Sequence, residues 1–358
     1  MPKILAIVAI LSTVLIGILL LLSSRAASPF VSTEPEKGTI TAPGSKVTDS
    51  TASGGSSVKF GIGNIWGQGN PAPPSVTVLN QISLNEVSVM QSFAYDTTNK
   101  VWIFAQVMGS THFNKSAAQH ALDGDITLTK VSATGQILGA MYLNGFGHGV
   151  SIGVEPVGSA TYVWTESNAH LSSGSTNAFG TRVARFAWVN GGVLTPTSSS
   201  VATYAVHPGS TSVLPIVDAS KNRITIQYNN ASEGGFHWSI HALDKFKSRN
   251  FTPLVTVARP SELNGITYQG AAWLNDQTIL SLHGNAYGTN NPPPGNTTIF
   301  EVNATNSTVT RRVSVTVAPT MVYREPEGLS EINGNVCSGF ASGVVGARKQ
   351  SVFCQVGL

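Results

Sequence analysis

Charge is scarce in this sequence. Its 358 residues include 21 Lys or Arg and 18 Asp or Glu, 11% in all, against about 25% in an ordinary soluble domain. Without Lys3 and Arg25, which flank an apolar N-terminal run, 19 basic residues face 18 acidic ones. A near-neutral body with no basic block gives nucleic-acid binding no electrostatic footing. Cysteine is nearly absent, and two residues spaced 17 apart do not make a zinc site. Beyond Val76 no amphipathic stretch keeps helical spacing for three turns, so the body does not read as helical. Hydrophobic residues still reach 41%, enough for a packed core, and wholesale disorder is excluded.

A strongly apolar, charge-free run lies at the front. Ile4 to Leu22 carries no charge, follows Lys3, and is succeeded by Ser23-Ser24-Arg25-Ala26-Ala27. A positive start, an apolar middle and a small-residue exit are the parts of a secretory signal. At 19 residues the run is also long enough to stay as a membrane anchor. Residues 1–26 are therefore expected to be a signal peptide or an anchor, with the rest outside the cytoplasm, secreted or held at the cell surface by residues 4–22. Membrane contact is expected only through this segment. Residues 27–75, rich in Ser, Thr, Gly and Pro, read as a linker. Within it Ala52–Phe60 looks like the opening strand of some carbohydrate-binding modules, and Trp66 is placed to dock the stalk.

Residues 76–358 read as all-β. Short β-branched and aromatic runs recur, such as Val101–Phe104, Ile126–Val131, Tyr162–Trp164, Arg223–Tyr228, Thr278–Leu282 and Thr297–Phe300, punctuated by turn clusters at 96–99, 133–135 and 190–192. Cys337 and Cys354 lie in two apolar runs that read as a hairpin turning near Val345-Gly346. They fall roughly opposite one another, where an oxidising compartment allows a disulfide; two buried thiols are the alternative.

An internal period is more informative. A polar residue before Gly or Ser opens several strands: Gln91-Ser92, His148-Gly149, Gln269-Gly270 and Glu327-Gly328, at separations of 57, 121 and 58 residues. The long gap holds two periods, with Leu214–Asp218 as a degenerate copy near its middle. Five openings about 57 residues apart predict a five-bladed β-propeller of four-stranded blades. A strand near Val76–Leu84 would complete the last blade.

These residues resemble a known family. Gln91–Asp96, Asp125–Leu128, Gly147–Ile152 and Tyr162–Trp164, followed by Tyr323–Leu329, Gly339–Gly343 and Gly346–Arg348, are similar in order and type to helveticin J-like proteins and phage surface lectins. Some relatives of that group are labelled teichoic acid biosynthesis protein C. The resemblance spans about Gln91 to Phe353 and implies a five-bladed propeller that binds a cell-surface glycan or anionic glycopolymer. In the bacteriocin branch it implies a toxin. Blade three, about 201–260, shows none of the motifs.

In a propeller the innermost strands begin near the axis, so Gln91, His148, Gln269 and Glu327 are expected to converge at one mouth, offering donors and acceptors to sugar hydroxyls or glycerol-phosphate. Arg324 and Glu325 lie beside that ring, with Arg324 suited to a phosphate. Phe146, Tyr268 and Tyr323 precede the openings and are candidates to stack on sugar faces. The bland reading is a set of polar groups that bond one another and seal the channel. A non-enzymatic, lectin-like role is expected. The enzyme alternative is a glycoside hydrolase, but Glu325 and Glu327 share one blade and lack an opposed carboxylate, Glu155 and Asp96 lying farther along their strands.

Weaker signals are read as structure. Gly149-Val-Ser151-Ile-Gly153 matches a nucleophile elbow, yet no helix can follow it. Asp123-Gly-Asp125 is the only hint of Ca²⁺, lacks the remaining ligands and reads as a turn; no cofactor is expected. His237 and His241 sit on an alternating strand and are expected to face solvent. The tryptophans after Trp66 are expected to pack between blades. Six N-x-[ST] triplets, at Asn114, Asn230, Asn250, Asn296, Asn303 and Asn306, fit surface loops.

Overall fold

The computed structural model describes residues 44–48, 56–60, 75–109 and 112–355. The charge-free run 4–22 and Trp66 lie outside them. Within the stretch read as linker, Gly44–Thr48 (β1) and Ser56–Phe60 (β2) pair as an antiparallel hairpin. That stretch therefore holds a strand pair where a plain linker was expected, and β2 falls within Ala52–Phe60.

The remaining strands form five sheets. Blade one comprises Met90–Asp96 (β4), Val101–Val107 (β5), Ile126–Ser132 (β6) and Ile137–Leu143 (β7). Blade two comprises Ile152–Val157 (β8), Ala160–His170 (β9), Phe179–Ala187 (β10) and Ala202–Tyr204 (β12), while Val193–Leu194 (β11) runs back beside β7. Blade three is Thr211–Asp218 (β13), Arg223–Asn230 (β14), Gly235–Ala242 (β15) and Val255–Ala258 (β16). Blade four is Tyr268–Asn275 (β17), Thr278–His283 (β18), Thr298–Asn303 (β19) and Val309–Ser314 (β20). Blade five takes Glu325–Ile332 (β21), Asn335–Ser342 (β22) and Lys349–Gln355 (β23), and its outer strand is Ser75–Ile82 (β3) from the front of the body. The expected closing strand is this one.

Five apolar clusters hold the ring, one at each blade interface. Ile103, Leu128 and Met141 meet Val163 and Phe186 between blades one and two. Trp164 and Val183 meet Ile224 and Tyr228 at the next interface. Trp238 and Ile240 meet Trp273 and Phe300 between blades three and four. Leu282 and Ile299 meet Leu329 and Phe340 between four and five. Cys337, Val352 and Cys354 meet Phe93, Trp102 and Phe104 to close the circle. Most tryptophans thus lie between blades, as expected. The Cys337–Cys354 disulfide joins β22 to β23 at directly paired positions.

Because each sheet is covered on both faces, its middle strands lose the one-sided alternation of a solvated sheet. This corrects the reading of the histidine pair. His241 is 1% exposed and bonded to Ser239 Oγ at 2.9 Å, while His237 is half-buried and stacks on Tyr228. Two short helices were also not anticipated, Ala117–Asp123 (α1) and Leu243–Lys247 (α2).

Candidate functional site

The inner strands β4, β8, β13, β17 and β21 surround the axis, and their beginnings define one mouth of the channel. A close backbone approach brings the expected openings together there. A Cβ on Gly270 would lie 2.9 Å from Leu329 N and 3.1 Å from Gly328 Cα. One on Gly328 would lie 3.0 Å from Ser92 Cα. Ser92 Oγ in turn donates to the Gly149 carbonyl. The pairs Gln269-Gly270, Glu327-Gly328, Gln91-Ser92 and His148-Gly149 are therefore consecutive around the ring. At Gly270 and Gly328 neighbouring backbones leave no room for a side chain, while Gly149 is set by its φ of 83°.

The register explains why the polar residues differ from their strand neighbours. Pairing of β4 with β5 slips between Met90 and Ser92, of β17 with β18 between Tyr268 and Gly270, and of β21 with β22 between Pro326 and Leu329. Gln91, Gln269 and Glu327 each occupy such a bulge, a device that re-aims a side chain out of the ladder. Pairing of β13 with β14 slips in the same way between Thr211 and Leu214, which makes Ser212, with φ of 51°, the counterpart in blade three. Sequence reading missed it, although one period of 57 counted back from Gln269 lands on it.

The individual side chains divide into three groups. Gln91 and Gln269 are buried, with Gln269 Nε2 donating to Gly284 O at 3.0 Å. His148 is half-buried, its ring 5.1 Å from that of Phe179 and its Nδ1 without a partner; burial pushes its pKa down to about 4. Its backbone N–H and that of Gly149 donate to the buried Glu166 carboxylate at 3.0 and 2.7 Å, and Gly180 N–H donates to the other oxygen. Glu166 is thus a further residue that shapes the mouth, unseen in the sequence because it works from β9. Burial raises its pKa to about 7 against the pull of those N–H groups.

Glu327 is 2% exposed and its Oε2 has no partner. Burial first, and the neighbouring Glu325 carboxylate second, push its pKa well above the usual carboxylate range. Glu325 is half-buried and accepts the Tyr323 hydroxyl at 2.7 Å, and burial raises its pKa too. The Arg348 guanidinium covers the Tyr323 ring at 3.3 Å. Tyr268 is half-buried, with its hydroxyl unpartnered.

A raised native pKa means that the folded state keeps protons the unfolded chain has released above about pH 4.3. The stabilisation is complete below that value and is lost as pH rises through the native pKa. We expect Glu327→Gln to gain stability relative to the wild type in urea unfolding as pH rises from 5 to 8. The buried histidines, whose lowered pKa values act in the opposite sense, contribute alike to both proteins. An unchanged difference between the two proteins across that range would remove Glu327 from the linkage.

Two expected ligand contacts are not available. Phe146 is 0% exposed and packs edge-on against Phe186 in the core between blades one and two, so it cannot stack on a sugar. Arg324 is also 0% exposed. Its guanidinium donates to Val317 O at 2.7 Å, Thr297 Oγ1 at 3.0 Å and Val315 O at 2.8 Å, which makes it a strut beneath the mouth.

The remaining motifs resolve as structure. Ser151 Oγ donates to Pro215 O and leads directly into β8. Asp123-Gly124-Asp125 is the end of α1, capped by Gly124 at φ 73°, and its carboxylates are engaged by Lys115, His120 and the Gly145 N–H. Among the described residues no group of three or more His, Cys, Asp or Glu is arranged to hold a metal ion. Asp96 holds its own turn through Thr98, Asn99 and Thr161. Glu155 is tied to Arg185 and Lys247.

A cavity of 740 Å³ lies at the opposite end, where the inner strands finish, with Thr97, Glu155, Asp218, Lys247 and Glu331 in its wall. Two ion pairs are made in its wall, Lys247 with Glu155 and Lys221 with Asp218 at 3.8 Å, and Asp218 Oδ2 there has no hydrogen-bond partner. The mouth keeps three such atoms, His148 Nδ1, Tyr268 OH and Glu327 Oε2, and buried polar groups in native proteins usually have partners. The mouth is the better candidate for that reason.

Comparisons with known proteins agree with the five-bladed fold. A "Putative major teichoic acid biosynthesis protein C" of Bacillus subtilis (strain 168) is 24% identical over 261 residues, 70% of this chain and 54% of that protein. The tail fiber of Staphylococcus aureus phage P68 shares the fold, with a TM-score of 0.59 and 14% identity over 80% of this chain and 53% of the fiber chain. This chain spans about half the length of each. The model of the phage 5-bladed beta propeller receptor binding platform domain matches residues 89–337, which run from the first inner strand to the middle of the last blade. On that match, the chain belongs to the phage five-bladed β-propeller receptor-binding platform family.

Proposed function

We propose that this protein is an exported, lectin-like propeller that recognises a cell-envelope glycan or teichoic-acid-type polymer through the mouth of its ring, without cleaving it. The observation that carries the reading is the set of bulged, polar strand openings that converge at one end of the channel and keep unpartnered groups there. Membership of a receptor-binding family and the name of the Bacillus relative support a surface glycopolymer as the ligand class. Binding without hydrolysis is supported by the carboxylates themselves. Glu325 and Glu327 lie on one strand, and Glu166 is occupied by backbone N–H groups. A pair facing each other across a sugar, the arrangement glycosidases use, is not formed by these three.

The test is retention of the purified protein on intact cell walls and on walls stripped of anionic polymers by acid. Retention on the first alone is expected, with loss in Glu327→Ala and His148→Ala. Equal retention on both, or on neither, would sink the reading, and release of reducing sugar from the walls would replace it with a hydrolase.

A further inference from the structure

Arg324, the cation that the sequence offers for a phosphate, is consumed by carbonyls and a hydroxyl. A different arginine at the same end of the ring is not. Arg259 follows β16, and its backbone N–H donates to Phe236 O at 2.8 Å. It begins the crossover 260–267 that carries the chain from the outer edge of blade three to the opening Tyr268-Gln269. Its guanidinium lies 4.1 Å above the Phe236 ring, and Nη2 donates to Asn264 Oδ1 at 3.0 Å. Nε is buried without a partner, and so is the hydroxyl of Tyr268. The Tyr268 ring is steadied edge-on by His283, whose Nδ1 is bonded to Ile266 O.

Among the described residues no carboxylate stands within ion-pair reach of Arg259. Arg185 and Arg223, by comparison, are each paired with an acid. Burial lowers the Arg259 pKa, the mark of a cation that has lost water and gained no counter-charge. A guanidinium has five N–H donors in a planar fork that matches an oxyanion. Here one side of it is fixed by Asn264 and its face by an aromatic ring, so it is held in place at little further entropic cost.

We propose that Arg259, together with the Tyr268 hydroxyl, is the anion-binding element at this end of the ring and takes the phosphodiester of a polyol- or sugar-phosphate polymer. This rests on the glycopolymer reading above and names the group through which the polymer is held. A phosphodiester carries a single negative charge, equal to the single cation. Its oxygens can accept the arginine fork and, out of the plane of that fork, a hydroxyl from another direction, whereas the remaining acceptor sites of a planar carboxylate lie close to the plane of the fork.

The test uses the full chain and fluorescently labelled poly(glycerol phosphate) of defined length, with a polyuronate and dextran as comparison polymers. The wild type is expected to prefer poly(glycerol phosphate) over both. Arg259→Gln is expected to weaken it about tenfold or more, and Arg259→Lys, which keeps charge but not the fork, to recover only part of that loss. Tyr268→Phe, which removes one oxygen and keeps the ring, is expected to weaken binding about threefold with an unchanged melting temperature. Affinity of Arg259→Gln and Tyr268→Phe within twofold of the wild type overturns the assignment. So does polyuronate binding as tight as that of the phosphate polymer. Wild-type protein that is retained on intact walls but ignores poly(glycerol phosphate) overturns this inference alone; failure on walls as well removes the glycopolymer reading with it.

Discussion

Arg324→Met is expected to cost about 3 to 5 kcal/mol of stability, the range for stripping a partner from buried, charge-assisted hydrogen bonds. The substitution removes three donors at once and leaves Val315 O, Val317 O and Thr297 Oγ1 facing an apolar chain. It also removes a cation that lies 4.2 Å from the Phe340 ring and 5.3 Å from that of Tyr287. Arg324→Lys should recover little, because one ammonium cannot reach three acceptors spread around a planar fork. Urea unfolding at pH 7 measures the loss. The same variants separate a strut from a ligand contact: polymer affinity of the folded fraction should match the wild type. A variant of normal stability with lost affinity would return Arg324 to the binding site.

Gly328→Val should be still more severe, with folded yield collapsing and any folded protein weaker by at least about 3 kcal/mol. Two costs add. The residue sits at φ 84°, where a β-branched side chain is strained. Its Cβ would also press on Ser92 Cα at 3.0 Å and Phe93 N at 3.1 Å, and backbone cannot rotate aside as a long side chain can. Gly334→Ala separates the two terms. Gly334 has φ 82° with nothing within 4 Å of the added carbon, so the backbone term stands alone and about 1 kcal/mol is expected. Equal costs at the two positions would show that close approach contributes nothing to the ring.

Both predictions concern places where sequence and structure part. The period of polar-Gly and polar-Ser pairs was legible because it records a physical need, the near contact of inner strands, four times over. The disulfide and the strand that closes the ring were legible for a similar reason, since pairing across a hairpin and a leftover strand are local patterns. The inner strand of blade three was legible as Leu214–Asp218, but its opening was not, because Ser212 adopts left-handed backbone without a glycine to announce it. Phe146 and Arg324 were misread because neighbours of an opening were assumed to share its direction. A bulge turns one residue toward the axis and leaves the adjacent ones in the sheet. The histidines of β15 failed for a third reason: alternation reports burial only where one face of a sheet meets water. Arg259 left no mark at all, since nothing local says that an arginine lacks a counter-charge.

The pairing of β3 with β23 sets Ser75 against Gln355, which has a consequence for how the molecule is made. A chain that emerges from the ribosome front first presents β3 long before its partner strand exists. Three sides of the last blade are the final part of this body to be synthesised, and β3 must wait through all four other blades. Contacts so distant in sequence slow folding, and an unpaired strand in waiting is a template for the wrong neighbour. β3 does little to guard itself in that interval: it carries no charge, Val76, Val78, Leu79 and Ile82 are apolar, and Val76 and Val78 stay exposed even in the finished ring.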